Sequence, residues 1–202
     1  MAFGHPPGFY PVDMTGPASI FGLERRGYMN MSDFPDKKAL EEAIELEEKG
    51  HKFFNDSAAK AQNQFARDVF EYLAGEELNH LKAIRNFSES YMKGLAANTE
   101  NIIQGMKEHK SNIGQIFDRL AKDAPIEGSD LDVYRFAADF ERKSEIFYTR
   151  AEAEATHPAA KKLYGFLIGE ERRHFKIVES CLAYFENPAE FFHQREKWHL
   201  EA

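Results

Sequence analysis

Between residues 36 and 61 the apolar positions Ala39, Leu40, Ala43, Ile44, Leu46, Phe53 and Phe54 recur mostly at three- and four-residue steps. That period puts them on one face of a helix and the charged residues opposite. Ser32 and Asp33 precede it as cap candidates, with Pro35 near the first turn. A second helix is predicted over 64–93, with Phe65, Val69, Leu73, Leu81, Ile84 and Phe87 inward. Residues 94 to 130 break the pattern. Gly94, Asn98, Gly105, Gly114, Pro125 and Gly128 punctuate a segment that holds a shorter helix near 100–122, read as a long crossover. Two more helices are predicted over 131–157 and 158–186, the last one starting at the His157-Pro158 junction and ending before Pro188. No strand-like alternation of any length appears, so the expected class is all-α.

The ends have a different texture. Residues 1–34 are rich in Gly, Pro, Met and aromatics (Phe3, Phe9, Tyr10, Phe21, Tyr28) and read as an arm. Residues 188–202 form a tail in which His193, Trp198 and His199 either pack, hang free or bind a further metal. The expected organisation is an arm over 1–34, a bundle over 35–187 with its crossover at about 94–130, and the tail.

The chain also repeats itself. GEELNHLK at 75–82 and GEERRHFK at 169–176 share five of eight positions. Ungapped alignment of 43–86 with 137–180 matches 13 of 44, among them Glu47, Gly75, Glu76, Glu77 and His80. The unit is a helical hairpin written twice. Two hairpins joined by a long crossover make a four-helix bundle with approximate two-fold symmetry.

Length and composition narrow the rest. With 202 residues, 43% hydrophobic and 30% charged, the chain suits one globular domain with a sizeable core. No apolar stretch approaches a membrane span, and the N-terminus lacks the basic and apolar regions of a secretory signal. A net charge of -8 argues against nucleic acid or an anionic membrane as the main partner. The single cysteine, Cys181, excludes an internal disulfide and a CxxC metal knuckle, and suits a buried apolar role in a cytoplasmic protein.

Glu77 and His80, three apart, share a helix face, as do Glu171 and His174. That spacing alone carries little, because six of the eight histidines follow a Glu at three residues. The hairpin arithmetic discriminates. Glu47 precedes Glu77, and Glu141 precedes Glu171, by the same interval, with midpoints at Gln62 and Thr156 where the turns are expected. Residues equidistant from a turn lie at one height, here about 20 Å from it at 1.5 Å per residue. The other pairs fail this test: His51 aligns with Glu145, His157 aligns with Asn63, and His193 and His199 lie beyond the last helix. Four carboxylates and two imidazoles at mid-bundle, among Phe53, Phe54, Leu73, Phe147, Tyr148 and Leu167, are costly unless paired. Two divalent cations balance them, and an oxygen-rich set with one nitrogen per metal suits iron or manganese.

On these stretches, AIELEEKGHKFF, AGEELNHLK, AADFERKSEIFY and IGEERRHFK, the chain resembles the rubrerythrin branch of the ferritin-like superfamily over about residues 36–186. The resemblance implies a ferritin-like bundle holding two irons, or manganese or a mixed pair. Glu47 and Glu141 would be terminal ligands, Glu77 and Glu171 bridging carboxylates, and His80 and His174 the nitrogen ligands. Glu76 and Glu170, each preceding a ligand Glu, are candidates to hydrogen-bond the ligand histidines. Tyr148 is a candidate proton or electron source.

Three departures stand out. Rubrerythrins carry a further Glu ligand one turn after the third-helix Glu. Here that position is Ser144, which brings the six-ligand set closer to the bacterioferritin pattern. Phe54 stands where the family often has tyrosine, while its repeat mate is Tyr148. One cysteine cannot build a rubredoxin-like iron site, so a separate rubredoxin-like protein or a small reductant would supply electrons. The expected activity is peroxide reduction, with ferroxidase chemistry using oxygen and a non-enzymatic metal-binding bundle as alternatives. A homodimer is expected.

Overall fold

The computed structural model describes residues 36–95, 98–108, 113–120 and 131–191. The expected arm, Ser32, Asp33, Pro35, Pro125, Gly128 and the tail histidines and tryptophan lie outside these residues. The described residues form six helices and no strand: α1 (Lys37–Lys60), α2 (Gln64–Met92), α3 (Thr99–Glu108), α4 (Ile113–Leu120), α5 (Leu131–Glu154) and α6 (Pro158–Glu186). α1 packs along α2 and α5 along α6, as two hairpins, and α1 also touches α5. No described helix is long and apolar enough to cross a membrane.

The helix ends follow local chemistry. Asn63 caps α2 by accepting from Ala66 N at 2.7 Å. Gly94, at φ 63°, closes α2 in the left-handed conformation that glycine adopts without a Cβ penalty. His157 caps α6, its Nδ1 accepting from Ala159 N at 3.2 Å, with Pro158 in the first turn as expected.

α1 begins differently from its sequence reading. Its N-cap residue is Asp36, whose carboxylate makes no cap bond to its own helix. It accepts instead from Thr156 N at 2.9 Å and His157 N at 3.0 Å. Asp36 thereby ties the start of the first hairpin to the turn of the second.

Among the described residues the crossover holds α3 and α4, over the stretch where a helix near 100–122 is expected. Gly105 and Gly114 lie inside α3 and α4 and do not end them. The roughly 1 kcal/mol helical cost of a glycine is opposed here by apolar burial; Ile103 and Met106, on the same face of α3, are both buried. Asn98 starts α3 by accepting from Asn101 N at 3.1 Å. Pro188 follows the end of α6 as expected, and a further helical turn forms over 188–191 because proline suits a first turn. Asn187 caps that turn by accepting from Glu190 N at 3.2 Å.

The core falls into two apolar clusters. One gathers Leu40, Ala43, Ile84, Phe87, Tyr148, Leu163, Tyr164 and Leu167. The other gathers Phe54, Phe65, Val69, Phe70, Leu73, Tyr134, Ala137, Val178 and Tyr184. On each long helix the stretch between them carries the glutamates and histidines singled out above. The clusters supply the burial that holds the bundle, at about 1.5–3 kcal/mol for each large apolar side chain, and between them they enclose a polar layer.

Candidate metal centre

Each of the four long helices delivers its part of that layer from an inward position one or two turns from a buried apolar residue. α1 contributes Glu47, α2 contributes Glu77 and His80, α5 contributes Glu141, and α6 contributes Glu171 and His174. All six are at most 2% exposed, so the layer is shielded from water that would otherwise solvate its charge.

The geometry sorts them into two overlapping quartets: Glu47, Glu77, His80 and Glu171, and Glu77, Glu141, Glu171 and His174. Within each, one donor atom per residue can be chosen so that all lie within 4.8 Å of one another. Glu77 and Glu171 belong to both. His80 Nδ1 lies 3.5 Å from Glu47 Oε2 and 3.5 Å from Glu171 Oε1. His174 Nδ1 lies 3.1 Å from Glu77 Oε1 and 3.6 Å from Glu141 Oε2. The imidazoles stack with centroids 5.3 Å apart and planes 15° from parallel. Each quartet keeps a histidine with both glutamates of its own hairpin, the grouping the hairpin arithmetic expects, and adds one shared glutamate from the other.

Electrostatics shows what the layer lacks. Glu47 Oε2, Glu77 Oε1, both oxygens of Glu141 and of Glu171, His80 Nδ1 and both nitrogens of His174 are buried without a hydrogen-bond partner. Orphaned buried polar atoms in such number are costly. Burial, then the charges of Glu47, Glu171 and Glu141, push the Glu77 carboxyl well above its usual range. Burial likewise raises Glu171, to about 8, with Glu47 and Glu141 adding to it against the pull of His80. At His174 burial opposes protonation, and the charge of Glu141 outweighs it, raising the imidazole to about 9. The layer holds protons where it needs positive charge. Oxygen and nitrogen donors converging without partners fit a pair of divalent cations, which would replace those protons.

The surrounding side chains answer the remaining expectations. The Tyr148 hydroxyl, fully buried on α5, donates to Glu47 Oε1 on the opposite hairpin. Glu76 Oε2 stands 4.0 Å from His174 Nε2, an ion-pair distance too long for a hydrogen bond. Arg173 joins Glu76 and Glu170, its Nη2 donating to both, at 2.8 Å to Glu170 Oε2. Arg173 Nη1 donates to the Tyr72 hydroxyl, which donates to Glu76 at 3.3 Å. Burial alone would raise Glu76, but His174 and Arg173 outweigh it and hold the carboxyl at about 2.

Sequence reading missed Arg173 and Tyr72. Their repeat mates are Asn79 and Phe166, so a comparison of the two halves hides them. The only signal was an arginine next to a ligand histidine.

The discarded pairs lie elsewhere. His51 Nδ1 meets Ala74 O at 2.8 Å, and Glu145 accepts from Arg172 Nε at 2.6 Å on the surface. Ser144 is buried and donates to Phe140 O at 3.1 Å, a backbone contact within its own helix. Cys181 is buried in the second apolar cluster, as expected of a small apolar residue.

Comparison with known proteins agrees with the geometry. A search of the curated proteins and a search of the solved structures each returned no significant match. The family model described as Rubrerythrin matches residues 38–182, well over half of the chain and all four long helices up to the last turn of α6. The chain therefore belongs to the rubrerythrin family, whose di-iron carboxylate character its buried layer of glutamates and histidines matches.

Proposed function

We propose that this protein is a non-haem di-iron oxidoreductase that reduces hydrogen peroxide to water with electrons from an external donor. The observation that carries the reading is the pair of buried quartets sharing Glu77 and Glu171, with donor atoms that have no other partner. Two ferrous ions held there would supply together the two electrons that one peroxide requires, the reaction consuming two protons and yielding two waters. Glu47 with His80 and Glu141 with His174 would hold one ion each, and Glu77 with Glu171 would lie between them.

The chain's own residues support the chemistry in three ways. The apolar clusters on either side exclude bulk water from the layer. Tyr148 Oη holds a proton inside the layer, at a site where burial and the Glu47 charge disfavour its loss. Arg173 holds Glu76 as a carboxylate beside His174, an anionic neighbour for that imidazole. Electrons would arrive from a separate rubredoxin-like protein or a small reductant, and we place the protein in the cytoplasm as a homodimer.

Ser144 favours a second reading. Its hydroxyl stands where a further carboxylate ligand would be, and it is engaged with its own helix. A six-ligand centre suits oxygen-driven oxidation of ferrous iron with release of the product. Stopped-flow mixing separates the two. Anaerobic protein loaded with two Fe(II) per chain is mixed with peroxide and, separately, with oxygen, following near-ultraviolet absorption. Faster reaction with peroxide and recovery on adding a reductant is the expected result. Faster reaction with oxygen, with iron then lost or accumulated, selects ferroxidase. No reaction with either leaves a structural metal bundle.

A further inference from the structure

The repeat makes the two metal positions look equivalent, but the neighbours of their terminal carboxylates are not. Glu47 and Glu141 are repeat mates. Glu47 Oε1 accepts the Tyr148 hydroxyl, and only Oε2 faces the layer without a partner. Both oxygens of Glu141 are buried and unpartnered. The repeat mate of Tyr148 is Phe54, fully buried and without a donor.

The geometry points to two inequivalent metal positions: Glu141 with His174 offers two carboxylate oxygens and fills first, while Glu47 with His80 offers one, binds more weakly, and leaves a coordination position open beside the Tyr148 hydroxyl for the small oxidant. The inference rests on the metal-binding reading of the centre. A carboxylate oxygen that accepts a hydrogen bond shares its charge with that proton and is a poorer ligand. Reactive metal sites keep a position open where the protein supplies fewer donors. Peroxide bound on the weaker side would meet the buried proton of Tyr148, whereas Phe54, the repeat mate of Tyr148, carries no hydroxyl.

The test titrates metal-free protein with Co(II), following heat and visible absorption, with circular dichroism to confirm that each variant stays helical. The unaltered protein should bind in two steps separated by about tenfold or more, the low end of the range for outer-shell hydrogen bonds to ligands. Glu141→Gln should remove the tighter step and Glu47→Gln the weaker one. Tyr148→Phe frees Glu47 Oε1 and should bring the two steps together. Phe54→Tyr places a hydroxyl on the Glu141 side and should weaken the first step. Two equal steps in the unaltered protein, the opposite assignment by the Gln variants, or a separation untouched by Tyr148→Phe overturns the inequivalence and leaves the metal centre standing. No cobalt binding by the unaltered protein overturns the metal reading and this inference together.

Discussion

The two hairpins are built to one plan. α1 and α5 each have 24 residues, and α2 and α6 each have 29. Each hairpin places a terminal Glu, a shared Glu and a His at the same intervals. Around the ligands the halves part company. The first has Gly50, Phe54, Tyr72 and Asn79 where the second has Ser144, Tyr148, Phe166 and Arg173. The repeat sets the positions of the donor atoms, and the residues around them differ between the two halves. The comparison also separates what a bundle needs in order to fold from what a metal pair needs in order to react. The repeated intervals serve both, while the unmatched residues set what surrounds each donor atom.

The largest effect is expected from the shared ligands. Glu77→Ala or Glu171→Ala removes a donor from both quartets at once, and loss of the metal pair with at least a hundredfold fall in peroxide turnover should follow. Metal content per folded chain and turnover check this. A terminal variant such as Glu141→Ala should retain one ion, which distinguishes shared from single roles.

Metal removal comes next and carries a pH signature. In the metal-free protein the folded-state values of Glu171 (about 8), Glu77 (raised) and His174 (about 9) lie above the ordinary ones. The folded state then binds more protons than the unfolded chain, so this contribution is complete below about pH 4.5 and is lost as pH rises through about 8 to 9. The metal-free melting temperature should fall between pH 5.5 and 8.5. With saturating Mn(II) the order should reverse, because the ligands must shed those protons to bind. Thermal melts at both pH values decide it, and an unchanged metal-free melting temperature would contradict the charge balance described for the layer.

Arg173→Met tests the unmatched arginine. Glu76 and Glu170 would lose their common partner, and affinity at the His174 side should drop about 10–100-fold. Arg173→Lys should rescue little, since an ammonium cannot reproduce the guanidinium fork. Cobalt titration of both variants reads this out.

Gly50 and its mate Ser144 sharpen the comparison on stability. A Cβ at Gly50 would sit 2.9 Å from Phe140 Cε1 and 3.0 Å from Glu77 Oε2. Gly50→Ala should destabilise by about 1–3 kcal/mol of overpacking, offset by up to about 1 kcal/mol of helix propensity. Ser144→Ala gives up one hydrogen bond within its own helix and should cost less than about 1 kcal/mol. Urea unfolding of the two variants side by side tests the difference. Smallest of all is Glu145→Gln, which breaks only the surface pair with Arg172 and should shift stability by less than about 0.5 kcal/mol, leaving metal binding unchanged.

By itself, the sequence determined the class, the four long helices to within a few residues, and the six glutamates and histidines that converge in the buried layer. These follow from local rules. A 3.6-residue period fixes which face is apolar, and equal intervals about a turn fix height in an antiparallel hairpin. The tertiary structure alone decided the distances within each quartet and the stacking of the two imidazoles, because these depend on how two hairpins rotate against each other, and no interval within one hairpin encodes them. It also decided the partners of Tyr148, Arg173 and Asp36. Each of these side chains reaches across to the other hairpin over a separation of about 100 residues or more. Such contacts depend on side-chain length and packing at a shared interface, which a one-dimensional pattern does not carry.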